Sequence, residues 1–136
     1  MNNHLLLKTI SIILLPFIIM FGLYVLAHGK VSPGGGFQSG AIWATALILH
    51  SLVFSVKETK KIISAKVLKF IASLGVILYA ATGFYSIFSG GRFLEFNRIT
   101  SDPHLAQFVG IMTIETAVHM VVFATLSLIF WRLVRE

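Results

Sequence analysis

Four long apolar runs constrain this chain more than any other feature. A hydrocarbon layer about 30 Å thick is crossed by about 20 mostly apolar residues in helix. Runs of that length extend from Leu5 to Ala27, from Phe37 to Val56, from Val67 to Phe88 and from Ala106 to Val134. In 136 residues they leave room only for short connections, so residues 1–136 are expected to form a single integral membrane domain. Composition agrees. With 57% hydrophobic and 12% charged residues and a mean hydropathy of +0.90, there is too little polar surface to cover a water-facing globule. An ordinary soluble enzyme and a disordered chain are both excluded. The first run has Lys8 near its entrance and Pro16 inside it. It is long, no A-x-A pattern closes it and three more runs follow, so it is expected to be a span rather than a cleaved signal.

The net charge of +6 does not point to nucleic acid, because the basic residues cluster at the ends of apolar runs. Four spans put both termini on one side. That side holds Lys8, Lys57, Lys60, Lys61, Lys66, Lys69, Arg132 and Arg135; the other holds Lys30, Arg92 and Arg98. The asymmetry predicts an all-α membrane protein with N and C termini in the cytoplasm. The basic segment from Lys57 to Lys66 reads as interfacial, serving topology and contact with anionic lipid. On the opposite side, Ser89 to Leu105 is the one substantial loop. Gly90-Gly91 marks the end of the third helix, and Asp102-Pro103 marks the start of the fourth.

The most distinctive local element is the connection between the first two helices, from His28 to Gly40, with three consecutive glycines at Gly34, Gly35 and Gly36. These permit an irregular, closely approached backbone, which survives near lipid only where protein or water satisfies it. No phosphate-loop pattern accompanies it. Gly36, Gly40 and Ala44 then recur at four-residue intervals, a stripe on which another helix can pack closely. That helix could belong to this chain or to a neighbouring subunit.

Glu115 lies within the fourth run, and His119 follows it on the same helical face. A carboxylate inside a span is costly and is by default a functional candidate. With a histidine beside it, it could form a proton relay or a cation-facing site, or make one fixed contact with a neighbouring helix. His50 in the second run reads as a hydrogen-bonded packing residue or a further relay member. His28 and His104 are expected to be solvated. There is no cysteine, H-E-x-x-H is absent and no ligand cluster appears, so no metal centre or cofactor is expected. Ser39 has no triad partner nearby in sequence, and G-x-S-x-G is absent. Trp131 suits an interfacial belt.

These residues resemble a known family. Gly29, Pro33-Gly34-Gly35-Gly36-Phe37-Gln38 and Gly40 look like the signature of the MnhB domain, which is named for one component of multisubunit Mrp-type Na+/H+ antiporters. Gly90-Gly91 with Phe93-Leu94-Glu95, and Gly110 with Glu115, resemble two further segments of that family. His119 stands outside the resemblance, since Ala117-Val118-His119 replaces a glycine-rich stretch. The resemblance implies a four-helix subunit of a prokaryotic cytoplasmic-membrane antiporter complex. Its partners would be other subunits and lipid, its transported ions Na+ and H+. Glu115 matches a family segment and is a candidate for the ion or proton path, with His119 and His50 candidates from their own positions in the spans; Pro33, Gly34, Gly35, Gly36, Phe37, Gln38 and Gly40 would be a subunit-packing motif. A redox-driven complex of the membrane-bound hydrogenase type uses the same module and is the alternative. A self-contained channel or homo-oligomer ranks last, since the sequence shows no inverted repeat and no ring-forming acidic cluster.

Overall fold

The computed structural model describes residues 2–31, 34–98 and 100–134. Pro33 and Arg135 lie outside the described residues, as does the side chain of Arg98. Five α-helices form: α1 Asn2–Ala27, α2 Gly36–Phe54, α3 Val56–Ile62, α4 Ala65–Phe88 and α5 Pro103–Leu133, with a short 3-10 turn at Phe96–Arg98. Within them, His4–Ala27, Gly36–Phe54, Ala65–Phe88 and Pro103–Leu133 are long and apolar enough to cross a membrane.

Local chemistry sets the boundaries. α5 begins three residues before the expected Ala106, because Asp102 accepts a hydrogen bond from the His104 N–H at 2.9 Å and Pro103 occupies the first helical position. α4 starts at Ala65 for a similar reason, the Ser64 hydroxyl accepting from the Val67 N–H at 3.3 Å. α2 stops at Phe54 rather than Val56. Ser55 has φ +87°, a conformation a helix cannot contain, and the chain restarts at once as α3. The basic segment after α2 is therefore largely helical. α3 buries Val56 and Thr59 and exposes Lys57, Glu58, Lys60 and Lys61. There Lys61 Nζ bonds Glu58 Oε1 at 2.7 Å. This hydrogen bond, with the lysine's charge, holds the Glu58 carboxyl below the ordinary carboxylate range.

The spanning helices pack in the order α1, α2, α5, α4, so that α5 is covered on one face by α2 and on another by α4. Small residues make the contacts close. A Cβ added at Gly40 would stand 2.7 Å from the His119 carbonyl oxygen, and one at Gly75 would stand 2.8 Å from that of Ala117. Ala44 is buried in the same seam. The stripe on α2 is thus filled by a helix of this chain. α1 is joined mainly to α2: Gly22 makes room for the Trp43 indole, whose Nε1 donates to the Ile19 carbonyl at 3.1 Å. The rest of α1 shows Leu5, Ile13, Phe17 and Met20 to its surroundings.

At the end carrying residues 2 and 134, the core gathers Ala44, Val56, Leu68, Phe123, Ala124 and Trp131. Trp131 is only 6% exposed and its Nε1 donates to Ser51 Oγ at 3.0 Å. It is a core residue rather than part of an interfacial belt, because this bond to α2 turns the indole inward. At the opposite end the loop after α4 folds back on the helices. Phe93 occupies the space left by Gly83, and Phe96 the space left by Gly110. Glu95 accepts from the Arg92 N–H at 2.7 Å, closing a turn around Leu94 at φ +63°.

Candidate functional site

The connection between α1 and α2 meets α5 at Glu115. Taking 1.5 Å per residue, Glu115 lies about 18 Å along α5 from Pro103, yet α2 begins beside it. A Cβ on Gly36 would overlap the Glu115 carbonyl group. The α1–α2 turn is therefore set back from the start of α5. Irregular backbone at such depth needs cover from protein or water, and α5 supplies it on one side.

Glu115 is wrapped by glycine. Cβ atoms added at Gly29 or Gly35 would come within 2.7 Å and 2.9 Å of its Oε1. The approach requires residues without side chains, which is the physical content of the glycine-rich turn. Gly34 adopts φ +151° where the chain enters α2, and Gln38 Oε1 accepts from the Gly35 N–H at 3.2 Å. Phe37 points outward and is 61% exposed. Among the described residues, Glu115 Oε2 is the buried side-chain polar atom left without a hydrogen-bond partner. No lysine or arginine forms an ion pair with it there. Lys30, adjacent to Gly29, lies instead over the Phe108 ring at 5.0 Å.

His119, one turn along α5, faces the same helix. Its Nδ1 lies 2.7 Å from Ser39 Oγ, and Ser39 Oγ donates to the Gly36 carbonyl at 3.1 Å. Both side chains are buried. The Trp43 ring meets the imidazole edge to face at 4.7 Å. Sequence reasoning gives Ser39 no partner; its partner is 80 positions away, and only the α2–α5 packing reveals it. Trp43 escapes the same reasoning. The signal that could have found both is the small-residue stripe, whose flank they occupy.

His50 is not part of this cluster. It lies 11 residues from Ser39 along α2, roughly 16 Å away at helical rise. Its Nδ1 is 2.7 Å from Thr59 Oγ1, and its ring stacks on Phe54 at 4.6 Å. It joins α2 to α3 and lines an apolar cleft of about 270 Å³ with Leu15, Ile19 and Trp43. His28 and His104 are exposed. Among the described residues, no three His, Asp or Glu side chains gather as metal ligands would.

Spanning helices arranged around an acid wrapped in backbone define a multi-pass integral membrane protein. The chain belongs to the MnhB family, described as a domain related to the MnhB subunit of Na+/H+ antiporter, which matches residues 6–128. It is 33% identical over 107 residues to an Na(+)/H(+) antiporter subunit of Alkalihalophilus pseudofirmus, a match covering 79% of this chain and 66% of that protein. It is 35% identical over 93 residues to antiporter subunit mnhB2 of Staphylococcus haemolyticus, covering 68% and 65% respectively. A Staphylococcus aureus mnhB2 subunit is 30% identical over 94 residues, covering 69% of this chain and 66% of that one. The matches thus span just under two thirds of each relative's length.

Proposed function

We propose that this chain is a membrane subunit of a multisubunit Na+(cation)/H+ antiporter in a bacterial cytoplasmic membrane, with residues 2 and 134 on the cytoplasmic side. The lysine and arginine asymmetry supports that orientation, and the bacterial relatives support the compartment. The observation that carries the reading is Glu115: a carboxyl group in a spanning helix, wrapped by Gly29, Gly35 and Gly36, with one oxygen buried and unpartnered among the described residues.

An ionised carboxylate without a partner is costly in such surroundings, by about 2.5–3.5 kcal/mol on insertion scales for charged residues at a span centre. Taking up a proton or a cation removes that cost. One carboxyl that takes either, but not both, couples their movements. The glycines bring backbone close enough to restrict what fits beside it, and His119 on the same face supplies a second proton-binding group. His50, at the far end of α2, acts apart from them. Phe37, exposed beside the turn, is the member of the glycine motif that reaches toward a neighbouring subunit. Large partner subunits provide the remainder of the path.

Glu115→Gln in the intact complex tests the proposal. Cation-dependent proton exchange in everted membrane vesicles is expected to fall at least about tenfold, a change of about 1.4 kcal/mol in the limiting step, while the complex still assembles on a native gel. Wild-type exchange in the assembled mutant would make Glu115 structural.

A further inference from the structure

Two histidines, His119 of α5 and His50 of α2, are held by the same device at opposite ends of α2. At one end His119 Nδ1 faces Ser39 Oγ at 2.7 Å, and Ser39 Oγ faces the Gly36 carbonyl at 3.1 Å. At the other, His50 Nδ1 faces Thr59 Oγ1 at 2.7 Å, and Thr59 Oγ1 faces the Ser55 carbonyl at 3.0 Å. In each case a hydroxyl sits between an imidazole nitrogen and a backbone carbonyl three or four residues before it.

A hydroxyl has one proton and can also accept. A carbonyl can only accept. If the hydroxyl gave its proton to the imidazole, two oxygens about 3 Å apart would face each other with no proton between them. If it gives the proton to the carbonyl, its lone pair is free for an imidazole N–H, and both short contacts become hydrogen bonds. Complete pairing therefore requires the proton on Nδ1. Which ring nitrogen is protonated follows from the bond the other makes. The Ser39 and Thr59 side chains are fully enclosed, so water does not offer the hydroxyls an alternative acceptor.

We infer that Ser39 and Thr59 are positioning residues that hold neutral His119 and His50 in the Nδ1–H tautomer, leaving Nε2 as the basic nitrogen of each ring. A proton arriving at either histidine then binds at Nε2, on the side of the ring away from the clamp, and leaves from the same atom. The tautomer stands on hydrogen-bond geometry alone. Its use in moving protons rests on the function proposed above.

The test is nitrogen-15 magnetic resonance of the full chain, labelled at histidine, in lipid bilayers and in mildly alkaline buffer where the rings are neutral. Single histidine substitutions assign the signals. In the wild type, His119 and His50 are expected to show Nδ1 as the protonated nitrogen and Nε2 as the bare one. Ser39→Ala is expected to move His119 to the Nε2–H form and leave His50 unchanged, and Ser39→Thr to keep the wild-type pattern. Thr59→Val should move His50 alone. Wild-type rings protonated at Nε2 would overturn the inference, and so would a His119 pattern indifferent to Ser39→Ala. The wild-type spectrum decides even if a variant fails to fold. Exchange activity is a separate readout: the expected tautomers in a chain whose His119 and Glu115 substitutions spare exchange would sink the transport role and leave the clamp standing.

Discussion

The two ends of the α2–α5 seam are built on opposite rules. Near residues 51 and 131 every feature is packed and paired: Trp131 donates to Ser51, Ser51 donates to the Leu47 carbonyl at 2.9 Å, and Leu68 and Ala124 are fully buried. Near residues 36 and 115 the helices touch backbone to backbone, and a carboxylate oxygen is enclosed without a hydrogen-bond partner among the described residues. A buried polar atom left unpaired costs roughly 1–3 kcal/mol, so the second end is held at a disadvantage that the first does not carry. Burial that serves stability is satisfied burial. The unmatched acid is the point in this seam where the fold gives up stability.

That contrast can be broken most forcefully at Gly36. Gly36→Val places a branched side chain against the Glu115 carbonyl, where backbone rather than a flexible side chain must move. Destabilisation of about 3 kcal/mol or more is expected, read as loss of folded protein in detergent unfolding and as failure to assemble. A mild effect would mean that the two helices are not in backbone contact. At the paired end, Trp131→Phe removes the bond to Ser51 and half of the buried indole; about 2 kcal/mol should be lost in the same assay. Glu115→Gln should cost no stability at all, since the carboxyl makes no ion pair among the described residues. A clear drop in its unfolding midpoint would reveal a partner and equalise the two ends.

The smallest effect lies outside the seam. Glu58 is exposed and its carboxyl is depressed first by the Lys61 hydrogen bond and then by that residue's charge. A depressed acid stabilises the fold above its ordinary titration range, and the contribution fades as pH falls through the lowered value. Lys61→Gln should return the Glu58 midpoint toward the usual carboxylate range in a side-chain titration, with little change in stability because the pair is exposed and screened.

Much of this is legible in the residues themselves. The spans follow from apolar run length, which is a property of consecutive residues, and the α5 start follows from Asp102-Pro103. Glu115 stands out because its charge is wrong for its neighbours. Ser39, Thr59 and Trp131 are harder to read, since each owes its role to a residue on another helix. Ser39 has no partner in sequence and has His119 in space; Trp131 looks like a belt residue and is buried on Ser51. The α2–α3 break at Ser55 is invisible for a different reason, as serine carries no preference strong enough to announce φ +87°.

Apolar spans, the glycine-rich turn and the lone acid were determined by the order of residues alone, because hydrophobicity, backbone freedom and charge are intrinsic to each residue type. Their meeting was decided by packing. Only when α2 lies against α5 do Gly29, Gly35 and Gly36 surround Glu115, because close approach is a property of two backbones and cannot be written in either one.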